Sequence, residues 1–241
     1  MNHPSTGAPG QALMRRSGRL NLVAAGAFVL GGSLFALGAA FAQLDVGTLA
    51  TVNISYLVGG GFFSLGGYAS ILLVVNAGRD DRSRASVVPM RWWGYRPHQR
   101  DWLSAVVLFV GTLLFAVSLV AAFAQGLTPR QSNGWIWLPD ILGCVCFLAS
   151  GHLAMLQMGG GHVEVHVHEL GWWVVLINQI GSVLFFLAGL AAFTRPTTST
   201  ALDAGLVNWG TFAGAACFAV GGALQAFDTP TSTRTVVQHS P

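Results

Sequence analysis

The chain has 241 residues, 53% of them hydrophobic and only 9% charged, with a mean hydropathy of +0.58 and a formal net charge of +3. Ordinary soluble domains carry about 25% charged residues, so the composition argues against a soluble globular protein and for one that lives in lipid. The cationic side chains are all arginine, since the sequence contains no lysine; with the abundant Ala and Gly, this suggests a bacterial, high-GC origin.

Residues 1–19, with small and polar residues at their start, read as a disordered N-terminus. Six apolar runs follow: Leu20 to Ala42, Thr51 to Ala77, Trp102 to Ala124, Trp135 to Met158, Gly171 to Phe193 and Ala204 to Phe227. Each is long enough to cross a hydrocarbon core of about 30 Å, which takes roughly 20 helical residues whose backbone polar groups are satisfied within the helix. The runs pair as three tandem helical hairpins, over 20–77, 101–158 and 171–227, giving an all-α polytopic membrane protein with six transmembrane helices. An Arg/Trp-rich loop over 78–100, a His-rich loop over 159–170 and a disordered tail over 228–241 complete the organisation. The arginines before the first run and Ala40-Phe41-Ala42 after it resemble a secretory signal, but the apolar stretch is too long for one. The string Ala-Phe-Ala-Gln recurs at Ala122 to Gln125, behind the third run.

The hairpins repeat one pattern. Odd runs carry Gly31 to Phe35, Gly111 to Phe115 and Gly181 to Phe185, each followed by Ala-Ala-Phe at Ala39, Ala121 and Ala191. Even runs carry Gly-x-x-x-Phe-x-x-small-Gly at Gly59/Phe63/Gly67, Gly143/Phe147/Gly151 and Gly214/Phe218/Gly222. Residues four apart share a helix face, so these positions form small-residue grooves around a central Phe. Close approach of backbones along such grooves supplies packing where lipid removes the hydrophobic driving force between helices.

Arginine sets the orientation. Arg15, Arg16, Arg19, Arg79, Arg82, Arg84, Arg91, Arg96, Arg100 and Arg234 fall on one side, and only Arg130 and Arg195 on the other. The positive-inside rule therefore places both termini and the 78–100 loop in the cytoplasm, with the protein in the plasma membrane. Trp92, Trp93 and Tyr95 among these arginines suit the headgroup layer, where guanidinium groups meet anionic lipid. The basic charge is thereby explained without nucleic acid.

Polar residues inside spans are costly and carry functional hypotheses by default. Asp140, His152, Asn178, Gln179 and Asn208 form a candidate polar path, with His152, Asn178 and Gln179 toward the cytoplasmic ends of their spans and Asp140 and Asn208, with Asn53, toward the opposite ends; the alternative is structural, with Asn bridging helices and Asp140, after Pro139, capping a helix start. His162, Glu164, His166 and His168 alternate with valines, so an extended strand would place all four on one face as ligands for Zn, Ni or Cu. A helix would split them into two pairs, and the preceding Gly159-Gly160-Gly161 makes the segment flexible. Protonation of the same histidines is the alternative use, and a solvated loop with no binding role is the bland one. Cys144, Cys146 and Cys217 lie in apolar runs and read as small hydrophobes without disulfides.

No enzyme is indicated. There is no lysine for a Schiff base, no Walker-type phosphate loop, no zinc-protease spacing and no Gly-x-Ser-x-Gly elbow, and a single histidine within the spans leaves no pair for axial haem ligation. The expected function is a membrane interaction or scaffold protein, with a lipid bilayer as its environment and another membrane protein or a second copy as candidate partner. A small-solute transporter or channel with a path near Asp140, His152 and Asn178 is the alternative, and a metal-responsive membrane protein using the His162 to His168 loop is another.

Trp173, Asn178, Gly181 and Phe185, followed by Asn208-Trp209-Gly210-Thr211, Gly214, Phe218 and Gly221-Gly222, resemble the two-helix YrhK-like domain, a small bacterial membrane module. The second hairpin resembles it through Trp102, Gly111, Phe115, Gly143, Phe147 and Ser150 but lacks the Asn, and the first lacks the Trp. The resemblance implies an integral membrane protein and carries no catalytic residues.

Overall fold

The computed structural model describes residues 8–77 and 89–228. Arg79, Arg82, Arg84 and Arg234, and the expected disordered ends at 1–7 and 229–241, lie outside them. The described chain is all-helical: α1 (Ala8–Gln43), α2 (Leu49–Asn76), α3 (Arg100–Ala121), α4 (Pro129–Ser132), α5 (Leu138–Met158), α6 (Leu170–Ala191) and α7 (Ala204–Phe227). A π-helical turn, Asn133–Trp137, joins α4 to α5. Six of the resulting helical stretches are long and apolar enough to cross a membrane, among them Arg16–Gln43 and the continuous Pro129–Met158. The expected spans are therefore present, and α1 begins earlier than expected, taking residues 8–19 into its first turns.

Local chemistry sets several boundaries. Thr48 and Thr51 form a capping box at the start of α2, and Thr128 with Gln131 forms another at α4, where Pro129 takes a first-turn position. Asp203 accepts the Leu206 amide at 2.9 Å and caps α7. The cap of the fourth span is thus Thr128, and Asp140 is not a cap as expected, because the helical backbone already passes through Trp137 and Leu138. The π turn just precedes Pro139, whose missing N–H and bulky ring cannot accommodate a regular α turn. At the far end of α2, Arg96 donates to the carbonyls of Val74 and Val75 at 3.4 and 3.0 Å. It satisfies free acceptors at the negative end of the helix dipole.

The helices close into a ring in chain order. Each packs on its neighbours in sequence, with α5 following α3, and α7 returns to pack against α1. Glycines set the crossings within the hairpins. A Cβ on Gly31 would lie 3.0 Å from the Gly59 carbonyl and the reverse is also 3.0 Å; a Cβ on Gly143 would lie 3.1 Å from the Gly111 carbonyl, and Gly181 and Gly214 crowd each other in the same way. At the α1/α7 seam the same role falls to Gly32, against Ala215, and Gly222, against Ala25. The outer faces carry exposed Leu30, Leu37, Leu113, Val117, Val183 and Leu187, the surface that lipid tails solvate.

Six phenylalanines, one from each span, fill the centre of the ring. Phe63, Phe147 and Phe218 touch one another pairwise, with centroids 5.5 to 6.4 Å apart. Phe35, Phe115 and Phe185 sit beside them, joined by the contacts of Phe185 with the other two, both at 6.0 Å. Each pair within a hairpin is also in ring contact, at 5.4, 5.1 and 5.5 Å. All six are at most 6% exposed, so the layer is closed.

Candidate functional site: two cavities flanking a phenylalanine layer

The Phe layer separates two cavities on the ring axis. The first, of about 360 Å³, opens toward the end bearing the termini; Phe147 and Phe218 form its floor. The second, of about 230 Å³, opens toward the opposite end and rests on Phe35, Phe115 and Phe185. Residues from all six spans line each one. Between them, among the packed rings, lies a void of about 10 Å³. That void is at the lower limit of the space one water needs.

Counting from the repeat residues explains which side chains face inward. Positions seven before the odd phenylalanines are Phe28, Leu108 and Asn178, and all three line the first cavity. Positions seven after the even phenylalanines are Ser70, Ala154 and Gln225, which line it too. On the other side, positions three before Gly59, Gly143 and Gly214 are Tyr56, Asp140 and Thr211, and all three line the second cavity. Seven residues are nearly two full turns of helix, which keeps each set on one face.

The first cavity is mostly apolar with a few polar groups. Ser104 and Ser150 link α3 to α5 reciprocally: each hydroxyl donates to the other residue's carbonyl at 2.9 Å. Ser182 is buried and donates to the Asn178 carbonyl at 2.9 Å. The side-chain oxygens of Asn178 and Gln179 are buried without a hydrogen-bond partner, Asn178 packed against Gly221 and Gln179 against Gly151. Gln179 Nε2 reaches the Leu148 carbonyl at 3.4 Å. Orphaned buried acceptors are rare, and each calls for a partner such as a water, an ion or a ligand donor.

The second cavity holds Asp140. Its carboxylate makes no hydrogen bond among the described residues, and it borders Gly189, where an added Cβ would sit 3.2 Å from Oδ2. Trp137, one turn before it, donates to the Gly189 carbonyl at 2.9 Å and packs edge-on against Phe193 at 5.0 Å. The Tyr56 ring lies 5.2 Å from Phe35. Gly38 presses on that ring, where a Cβ would come within 3.0 Å. Asn53 donates to the Ala122 carbonyl at 3.0 Å, tying α2 to the end of α3.

The residues of the expected polar path are therefore divided. Asp140 and Asn178 line cavities on opposite sides of the Phe layer. Gln179 is next to Asn178 but wedged between α5 and α6. Asn208 is half-buried on α7 and borders neither cavity, and His152 is exposed on the outer face of α5. Tyr56, Trp137 and Thr211 were not anticipated, although their spacing from the repeat glycines matches that of residues that were: Trp137 stands six before Gly143, as Asn53 and Asn208 stand six before Gly59 and Gly214.

The His-rich loop is an irregular connection. His166 Nε2 and Glu164 Oε2 are 3.6 Å apart, and no group of three or more His, Cys, Asp or Glu side chains among the described residues is arranged to hold a metal. The loop is pinned instead by Trp172 and Trp173, which donate to the carbonyls of Glu164 and Val167 at 3.1 and 3.0 Å. All three cysteines are free; Cys144 is buried and its thiol donates to the Phe185 carbonyl at 3.4 Å.

On the side bearing the termini, Trp92, Trp93 and Tyr95 are exposed while their backbone is held in place. Tyr68 donates to the Trp92 carbonyl at 2.9 Å and Trp102 to that of Gly94 at 2.7 Å. Compared with models of protein families, with curated proteins and with solved structures, the chain matches none.

Proposed function

We propose that this protein is a gated passage for a small solute across the membrane, drawn here in its closed state. The observation that carries the reading is the pair of axial cavities, lined by all six spans and separated by one layer of phenylalanine rings. An apolar constriction of this kind blocks water and solutes by dewetting, and small ring displacements open it. A pure scaffold would be expected to pack dry along its axis, which is why we favour the alternative reading over the interaction protein expected from composition. The metal-responsive reading has only His166 and Glu164 in proximity to support it.

The arginine distribution supports cytoplasmic termini in a plasma membrane, so that the first cavity faces the cytoplasm. The exposed Trp92, Trp93 and Tyr95 near Arg91 support a headgroup contact at the same face. We read the three hairpins as copies of one YrhK-like unit around a pseudo-threefold axis, on the strength of their equivalent Gly and Phe positions, and we assign the chain no enzymatic activity.

The test is osmotic. Phe218 touches Phe63, Phe147 and Phe185, so Phe218→Ala thins the layer at a ring that contacts three others. In proteoliposomes the variant is expected to raise water and glycerol permeability several-fold over wild type. A correctly inserted variant as tight as protein-free vesicles would remove the reading.

A further inference from the structure

We infer that the second cavity is a binding site for a small monovalent organic cation, of the quaternary or tertiary ammonium class. The inference deepens the passage reading by naming what the passage recognises, and it rests on that reading for its meaning in transport.

Asp140 is the only formally charged side chain among the residues lining the cavity. Its carboxylate has no hydrogen-bond partner among the described residues, and the cavity wall holds no arginine to neutralise it. An unpaired carboxylate in a low-dielectric site is costly, and it is relieved either by taking up a proton or by a counter-charge that arrives from outside. Gly189 leaves the space the carboxylate occupies, because a side chain there would begin 3.2 Å from Oδ2.

The remaining wall chooses the kind of cation. Tyr56, Trp137, Phe35, Phe115 and Phe185 bring five aromatic rings to one cavity. Aromatic faces attract cations through the ring quadrupole, most strongly when both are desolvated. The rings are held rather than free: Trp137 by its bond to Gly189 at 2.9 Å and Tyr56 by its packing on Phe35 and Gly38. A transition metal would need several converging imidazole, thiolate or carboxylate ligands, and no second His, Cys, Asp or Glu joins Asp140 among the residues lining the cavity, whose other polar side chains, Asn53, Tyr56, Ser118, Ser132, Thr194 and Thr211, are neutral. A cation with alkyl substituents matches one carboxylate, several ring faces and a volume of about 230 Å³.

The pseudo-threefold arrangement makes the site singular. The positions equivalent to Asp140 are Tyr56 and Thr211, so one hairpin supplies the charge, one a ring and one a hydroxyl. Three carboxylates at this level would repel one another in the absence of ligand. One carboxylate faces one positive charge.

The experiment is equilibrium binding of radiolabelled choline to the purified full-length protein in lipid nanodiscs, with 3,3-dimethyl-1-butanol, the uncharged isostere of choline, as competitor. Saturable choline binding is expected, with the alcohol weaker by about tenfold or more, the loss of one ion pair or strong cation–π contact. Asp140→Asn preserves shape and removes charge, and is expected to weaken binding by about tenfold or more without changing the unfolding temperature downward. Trp137→Phe is expected to retain most of the affinity and Trp137→Leu to lose it, a distinction that a generic packing role would not produce. Equal competition by the alcohol, absence of choline binding, or full binding by a folded Asp140→Asn variant would each overturn the assignment. If choline fails to bind while Phe218→Ala still conducts glycerol, the site is lost and the passage stands; if neither is seen, both readings fall.

Discussion

Gly181 and Gly214 meet so closely that a Cβ added to either would lie 2.9 or 3.0 Å from the other's carbonyl oxygen. Both atoms are backbone, so neither can turn aside. Gly214→Ala is therefore expected to push α6 and α7 apart and to cost about 1–3 kcal/mol, in the range of core overpacking. Gly26 and Gly61 have nothing within 4 Å of an added Cβ, and Gly26→Ala or Gly61→Ala should be neutral or stabilising by up to about 1 kcal/mol through helix propensity. Thermal unfolding of the three variants in one detergent separates the two kinds of glycine.

The reciprocal bonds of Ser104 and Ser150 make α3 and α5 a test of polar contact in lipid. Their hydroxyls are also 3.1 Å apart, so that either donates to the other in the alternative rotamer. A double-mutant cycle of Ser104→Ala and Ser150→Ala should give a coupling of about 0.6 kcal/mol and no more than about 1.7. A coupling near zero would mean that the two hydroxyls are satisfied independently by their own helices.

Asp228, just past the end of α7, has its carboxyl held above the ordinary carboxylate range, first by burial and then by the negative charge of Glu169. A raised pKa means that the folded protein holds this proton more tightly than the unfolded one. Its contribution to stability is then fully present below the unfolded value near 4 and is lost as pH rises through the folded value. Asp228→Asn should accordingly raise the unfolding temperature slightly at neutral pH and leave it unchanged below about pH 4. Removing the second cause with Glu169→Gln should lessen the benefit of Asp228→Asn; a benefit of equal size at both pH values would contradict the electrostatic account.

Spans, hairpins and crossing glycines were legible because lipid leaves few solutions: length, hydropathy and small-residue spacing act within one helix or one pair of helices. The site was legible only in part. Asp140 and Asn178 announce themselves as polar residues in apolar runs, whereas Tyr56 and Trp137 look like ordinary aromatic residues near a membrane interface. Their equivalence to Asp140 and Asn53 is visible only after the repeat is used as a ruler. Their spacing marks the central phenylalanines as packing knobs between helices, as they are; that all six converge on one axis depends on α7 closing against α1, a long-range fact that no local pattern encodes. Pro139 hints at a break in the fourth span, but the anchoring of the π turn's Asn133 to Thr194, with bonds of 2.8 Å in both directions, joins residues 61 apart that no local pattern links.

The closure of the ring in chain order has a consequence for biogenesis. Apart from the central phenylalanine rings, which reach across the axis, the other extensive helix faces join consecutive spans, so each helix meets its main neighbour soon after it leaves the translocation machinery. The α1/α7 seam, fastened by Asn21 to the carbonyls of Gln225 and Asp228 at 2.9 and 3.2 Å, cannot form until the last span is made. Until then the growing protein is an open arc, with the groove of α1 that holds Gly32 turned toward lipid and available to any neighbour. Synthesis thus ends with a latch, and the two cavities come into being together only when it shuts.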